Sequence, residues 1–266
     1  MKQQTTIKKI INIDSRFREN FNDSASSDFT VKLNYPLSGV LSMRLDQIEV
    51  PNSWYNISKK IGNNKIKIMM NNIDYEFLLN DGMYSYGEVK EALENSMSNG
   101  RKFSSLFTFD IDEYSNKITI SSKSNLKLTI NFGNNERTLG WFIGYKKKLY
   151  ENASTYTAEN MFNDTNNRYF YLVINDFNTN INDYIIGNLK DYYINDNIIA
   201  RISVIDTKYN IISNFNNDSH GTQTRVYTSR SNIDKLHIKL LDEYGQVLDL
   251  NGLDISFTLE FQLFVK

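Results

Sequence analysis

The chain contains no cysteine, which removes disulfides, thiolate metal sites and cysteine nucleophiles from consideration and fits assembly in a reducing compartment. Histidine is nearly as scarce: His220 and His237 have no cysteine partners and form no recognisable zinc constellation. Only 2 prolines and 12 glycines occur in 266 residues, so the turns of a strand-rich chain must be made by Asn and Asp, whose short side chains tolerate left-handed backbone. No apolar run approaches the ~20 residues that span a bilayer. The segment Met1-Lys2-Gln3-Gln4-Thr5-Thr6 lacks the apolar core of a signal peptide, so synthesis in the cytoplasm is expected. Neither sign of charge dominates: 30 basic and 31 acidic residues leave a formal net charge of −1, without the basic footprint that holds nucleic acid. No G-x-S-x-G elbow, H-E-x-x-H, P-loop or dinucleotide fingerprint is found, and no enzymatic activity, cofactor or metal is expected.

What the chain does have is aromatic and β-branched residues, with 17 Tyr and 16 Phe, the composition of strands. Ile255 to Leu263 alternates apolar and polar without a break, placing Ile255, Phe257, Leu259, Phe261 and Leu263 on one buried face of a strand built into the middle or the inner face of a sheet. Leu236, Ile238 and Leu240 alternate in the same way, and Asn251-Gly252 marks a reversal between the two runs. Further strands are predicted over Ile7–Ile13 and Phe29–Leu33, and Ile198, Ala200, Ile202 and Val204 are assigned an inward face. Leu41, Met43 and Leu45 share one parity but Ile48 and Val50 the other, which predicts a β-bulge around Asp46-Gln47. Tyr169–Ile174 is continuously apolar, the pattern of a strand buried on both faces.

A hairpin is predicted between Ile66–Met70 and Tyr75–Leu79 across Asn71-Asn72. One helix follows, with Ser85 and Glu88 as a capping box and Val89, Leu93 and Met97 along its apolar stripe. This region, 66–132, is expected to be a small α+β insertion, with 1–65 and 133–266 forming a β-sandwich with Greek-key connections. Two glycines flank Trp141, at Gly140 and Gly144, but no Gly-Lys-Ser/Thr follows and a nucleotide loop is rejected. Asp176, Asn178, Asn180 and Asn182 fall on alternate positions, faintly like a calcium loop. The required glycine is replaced by Ile181 and the closing glutamate by Gly187, so an Asn-rich turn is the better reading.

Two clusters stand out as candidate inter-subunit contacts. Asp14, Arg16, Phe17 and Arg18 place two arginines around an aromatic, a set suited to bidentate or stacked contact with a neighbouring chain. The same residues also read as a surface turn with an internal Asp14–Arg16 pair. Trp54 and Tyr55, just after the strand-ending Pro51, either form a contact surface or cover the end of the sandwich.

Several segments, taken in order, resemble a family of capsid proteins of giant DNA viruses: Ile13-Asp14-Ser15-Arg16-Phe17-Arg18, Ile48–Ser58, Leu139-Gly140-Trp141, Tyr169–Phe177, Ile198–Ile202 and Leu240–Gly245. The resemblance implies a single jelly roll in a virion protein synthesised in the host cytoplasm. Major capsid proteins of such viruses look like two rolls in one longer chain. One roll plus an insertion therefore implies a homopentameric vertex (penton) protein seated among major capsid protein capsomers, or else a minor capsid protein. A carbohydrate- or receptor-binding module on the virion surface is the alternative from a different class, because jelly rolls also make lectins. No catalytic, cofactor or metal residue carries over from the family.

Overall fold

The computed structural model describes residues 5–162, 168–178, 181–182, 185–189, 193–194, 197–205, 208–215 and 223–265. Asn180 and His220 lie outside the described residues. The chain forms two compact units, one of Met1–Trp54 with Asn167–Lys266 and the other Tyr55–Asn166.

Among the described residues seven longer strands build the sandwich of the first unit, β1 (Thr6–Asp14), β2 (Asp28–Pro51), β3 (Tyr169–Asn175), β4 (Ile198–Ser203), β5 (Ile211–Phe215), β6 (Arg225–Asp242) and β7 (Ser256–Phe264), beside the two-residue strands Ile181–Asn182, Gly187–Asn188 and Tyr193–Ile194. β2 is long enough to serve two layers. Its residues 40–51 pair with β7 and β5, and β1 completes that layer in the order β1, β7, β2, β5. Residues 28–37 of β2 pair with β6 from Ile233 onward, while Arg225 to Ser231 of β6 run beside Met43 to Val40; β3 and β4 follow, giving β2, β6, β3, β4. Every pairing is antiparallel. Along the chain the layers are visited as one, two, one, two, two, one, two, one, which is the jelly-roll path of eight strand segments. The second unit is inserted between the second half of β2 and β3.

The corner inside β2 lies at Pro36 to Gly39, where Pro has no N–H to give to a ladder and Gly39 takes φ 71. Opposite it, β6 slips register between Ser231 and Lys235, so both long strands turn together from one layer to the other. One core fills the sandwich, with Met43, Ile48, Phe257, Leu259 and Phe261 from the first layer meeting Phe29, Leu172, Ile238 and Leu240 from the second. All five inward residues expected of β7 and its approach, Ile255 to Leu263, are buried. The bulge falls at Asp46: Thr258 pairs with Gln47 and Leu259 with Leu45, so Leu45 and Ile48 both reach the core.

β3 is buried on both faces, as its composition predicts. Phe170, Leu172 and Ile174 face the sandwich core, while Tyr171 and Val173 join Ile194, Ile198 and Leu241 in a smaller cluster on the outside of the layer. One inward assignment is corrected here. Ile199 is an extra residue between the pairs Leu172↔Ala200 and Val173↔Ile198, so Ile199 turns into the main core and Ile198 into the outer cluster.

The second unit reaches well beyond 66–132, because Leu139, Phe142, Ile143, Tyr145, Tyr150 and Phe162 pack into the same core as Ile66, Phe77 and Phe107. It contains a four-stranded sheet in the order Leu149–Ala153, Leu128–Asn131, Lys65–Met70, Ile73–Leu78, and a three-stranded sheet of Thr155–Thr157, Ile118–Ser122 and Phe107–Ile111. The hairpin turn at Asn71 and Asn72 has both residues at positive φ, 51 and 60. Helix α1 (Tyr86–Asn95) carries the capping box and buries Val89 and Leu93. It ends before Met97, which lies in the short strand Met97–Ser98 and is exposed.

Candidate contact surface

β1 is an edge strand. It pairs with β7 along its whole length, from Thr6↔Phe264 to Asp14↔Ser256, and among the described residues no strand pairs its other side. Such an edge presents a row of unpaired backbone donors and acceptors. Ile7 and Ile10 on this strand are 51% and 61% exposed, an apolar addition to an adhesive edge.

The open face of the same layer behaves differently. Lys8 and Arg44 converge on Glu260 at 3.2 and 3.1 Å. Burial by itself would raise the Glu260 carboxyl, but the hydrogen bonds and charges of Arg44 and Lys8 outweigh it and hold the group below its usual range. Gln262 donates to Thr6, Thr258 to Asn12 and Ser256 to Glu49, tying β1, β7 and β2 across this face. These side-chain contacts lie within the sheet, whereas the outer backbone of β1 has no partner strand among the described residues.

At the end of β1 the chain enters a single 3-10 turn, Ser15–Phe17, capped by Asp14. Asp14 accepts from the Arg16 backbone at 2.9 Å and from both Nε and Nη2 of its guanidinium. Those hydrogen bonds hold the Asp14 carboxyl below its ordinary range. The internal pair read from the sequence is therefore present, with Arg16 otherwise exposed. Arg18 points the other way and is 7% exposed in its side chain. It bonds Asp254 at 2.8 Å, the Ser15 carbonyl at 2.7 Å and Ser24 Oγ at 3.1 Å, and lies 4.1 Å over the Phe21 ring. Ser15 donates to the same Asp254 at 2.6 Å and accepts from the Ile255 N–H. Arg18 thus fastens the turn to the start of β7. Between the two arginines Phe17 is 83% exposed.

Trp54 is 3% exposed and meets Phe170 edge-on at 6.0 Å, so its ring belongs to the sandwich core. Tyr55, the first residue of the second unit, is half-buried. Of the six candidates the structure brings Asp14, Arg16, Phe17 and Arg18 onto one turn, with Phe17 and Arg16 turned to solvent.

A buried polar node escaped the sequence reading. Arg225 donates to the carbonyls of Ile174 and Asn197 at 2.7 and 2.8 Å, and Tyr227 donates to Asp176. Burial, reinforced by the Asp176 charge, pushes the Tyr227 hydroxyl upward. Arg225 and Tyr227 share a parity in the sequence, but Ser229 and Ser231 continue it, so no apolar pattern marked the node. Asp176 accepts from Tyr227 in this node and from the Asn178 N–H at 3.0 Å. Among the described residues no group of three or more His, Cys, Asp or Glu side chains is arranged to hold a metal, and no helix is long and apolar enough to cross a membrane. His237 contacts Asp28 at 2.7 Å.

No protein-family model matches the chain, and no curated protein matches it. Among solved structures, the crystal structure of the mavirus penton protein aligns over 99% of this chain and 100% of its own, with 12% identity and a TM-score of 0.49. A likeness at that level assigns neither family nor function.

Proposed function

We propose that this chain is a structural protein of a giant DNA virus capsid and forms the homopentameric vertex, seated among capsomers of the major capsid protein. The observation that carries the reading is the complete eight-segment jelly roll with an unpaired, isoleucine-bearing β1 edge that runs directly into the exposed Phe17 turn. The ordered family-like segments supply the capsid context for that edge. A heterologous contact between such an edge and the flank of the next copy closes a ring when the rotation between copies permits it. Phe17 and Arg16 are the residues proposed to meet the neighbour, and Asp14 and Arg18 hold them in place.

Native mass spectrometry of the purified protein and density assignment in intact particles test this reading. Five-fold assemblies and density at the vertices are the expected result. Density elsewhere in the shell replaces the vertex role with that of a minor capsid protein, and absence from the particle overturns the capsid reading altogether.

A further inference from the structure

The outer face of the four-stranded sheet in the second unit carries a groove of about 360 Å³. Lys67, Met69, Asp74, Glu76, Thr129 and Asn131 form its floor, side by side through the pairs Lys67↔Glu76, Lys67↔Asn131, Met69↔Asp74 and Met69↔Thr129. The hairpin made by Met97–Ser98 and Arg101–Lys102 walls one side. It is fixed there because Ser98 Oγ accepts the Glu76 N–H at 2.9 Å and Asn99 donates to the Asp74 carbonyl at 2.7 Å.

These contacts narrow the chemistry of an occupant. Strand addition is blocked, since the groups that edge strand Ile73–Leu78 would offer at Asp74 and Glu76 are already capped by the hairpin. An anion is disfavoured: two carboxylates face one lysine, and that lysine is 2.9 Å from Glu76. A flat aromatic ligand finds no ring to stack on, because the Tyr75 side chain turns inward to the core. What the groove does offer is alternating donors and acceptors around one apolar side chain. Lys67, Thr129, Ser98 and the Asn131 amide nitrogen donate, Asp74 and Glu76 accept, and Met69 supplies a surface for C–H groups. The Asn131 carbonyl is occupied by the Gly133 N–H at 2.8 Å, which directs its NH2 outward.

We propose that this groove binds a neutral saccharide. Vicinal hydroxyls match the carboxylate and amide pairs, the C–H face of the sugar ring lies on Met69, and the volume is within the range of small-ligand sites. The site is independent of the capsid reading: particle density tests one and glycan binding the other, so either can fail alone.

The test uses the full chain on an array of neutral, sialylated and sulfated oligosaccharides, followed by saturation-transfer NMR with the strongest neutral hit. Binding to neutral glycans is expected, abolished in Thr129→Trp, which fills the groove, and weakened about tenfold in Asn131→Ala, which removes one hydrogen-bonding amide. Asn131→Ala keeps the result readable if Thr129→Trp fails to fold. Absence of any neutral hit, a preference for acidic glycans, or binding unchanged in Asn131→Ala overturns the proposal.

Discussion

The sandwich unit and the inserted unit solve the same packing problem with different side chains. Among the described residues, ten of the 25 core residues of the inserted unit are aromatic, against six of 29 in the sandwich. In the inserted unit the strands are short, so few rungs hold each sheet, and large rings take up the space between the sheets and the helix. Phe77 meets Phe103 at 5.0 Å and Phe107 at 6.0 Å, and Tyr145 meets Phe132 and Tyr150 at 5.2 Å each. The sandwich has long ladders and an aliphatic interior, and fastens its loops with buried polar nodes instead, at Arg18–Asp254 and at Arg225–Asp176–Tyr227. Cohesion is concentrated in a few rings in one unit and spread along backbone ladders in the other.

That contrast is breakable by mutation. The largest effect is expected for Phe77→Ala, about 5 kcal/mol in urea unfolding, because the cavity would open among three other rings. Phe261→Ala in the sandwich is expected to cost about 3–4 kcal/mol, nearer the lower end for a buried phenylalanine. If Phe261→Ala cost as much as Phe77→Ala, the aromatic cluster would not be where the inserted unit concentrates its stability. Arg18→Ala comes next at about 2 kcal/mol, since Asp254 keeps only the Ser15 hydroxyl and the bonds of the guanidinium to Asp254, Ser24 and the Ser15 carbonyl are lost. Arg16→Ala, at an exposed pair, should leave unfolding unchanged while weakening any assembly.

Gly140→Ala is expected to cost about 1–3 kcal/mol by overpacking. A Cβ there would come within 2.4 Å of the Phe132 ring, so the aromatic cluster leaves no room for a methyl group. Glu260 gives the smallest effect, and it is read through pH. Its folded-state carboxyl is held below the ordinary value, so the stabilisation is present above the unfolded pKa and is lost as pH falls through the folded one. Melting temperature should therefore drop more steeply on acidification in the wild type than in Glu260→Gln, over the range below about pH 5. Parallel curves would remove Glu260 from the sandwich's polar ties.

The legible parts of this fold were those governed by strict period. The inward face of β7, the Asp46 bulge, the two-faced burial of β3 and the capping box at Ser85 all follow from local alternation, which needs no knowledge of the partner strand. The Ile199 irregularity was not legible because every residue from Ile198 to Ala200 is apolar, so parity carries no information there. Leu139 to Tyr145, which follows the expected end of the insertion at 132, was not legible as part of the inserted unit for a different reason. Its glycines serve packing and a left-handed position, Gly140 against Phe132 and Gly144 at φ +96, and neither requirement has a period. The same limit applies to the contact turn. Arg16 and Arg18 are chemically alike and two residues apart, and only the position of Asp254, far away in sequence, decides that one is buried and the other stays exposed beside Asp14.

The bend at Gly39 has a mechanical consequence. Because residues 28–37 and 40–51 are one uninterrupted strand, the two layers cannot be pried apart at that corner without stretching covalent backbone. A load applied to one sheet is passed along β2 as tension into the other. The terminal pair Thr6↔Phe264 lies at the opposite extreme, where β1 can be peeled from β7 rung by rung. The roll is thus stiff at its corner and compliant at its seam, and the compliant seam is the same strand that carries the open edge.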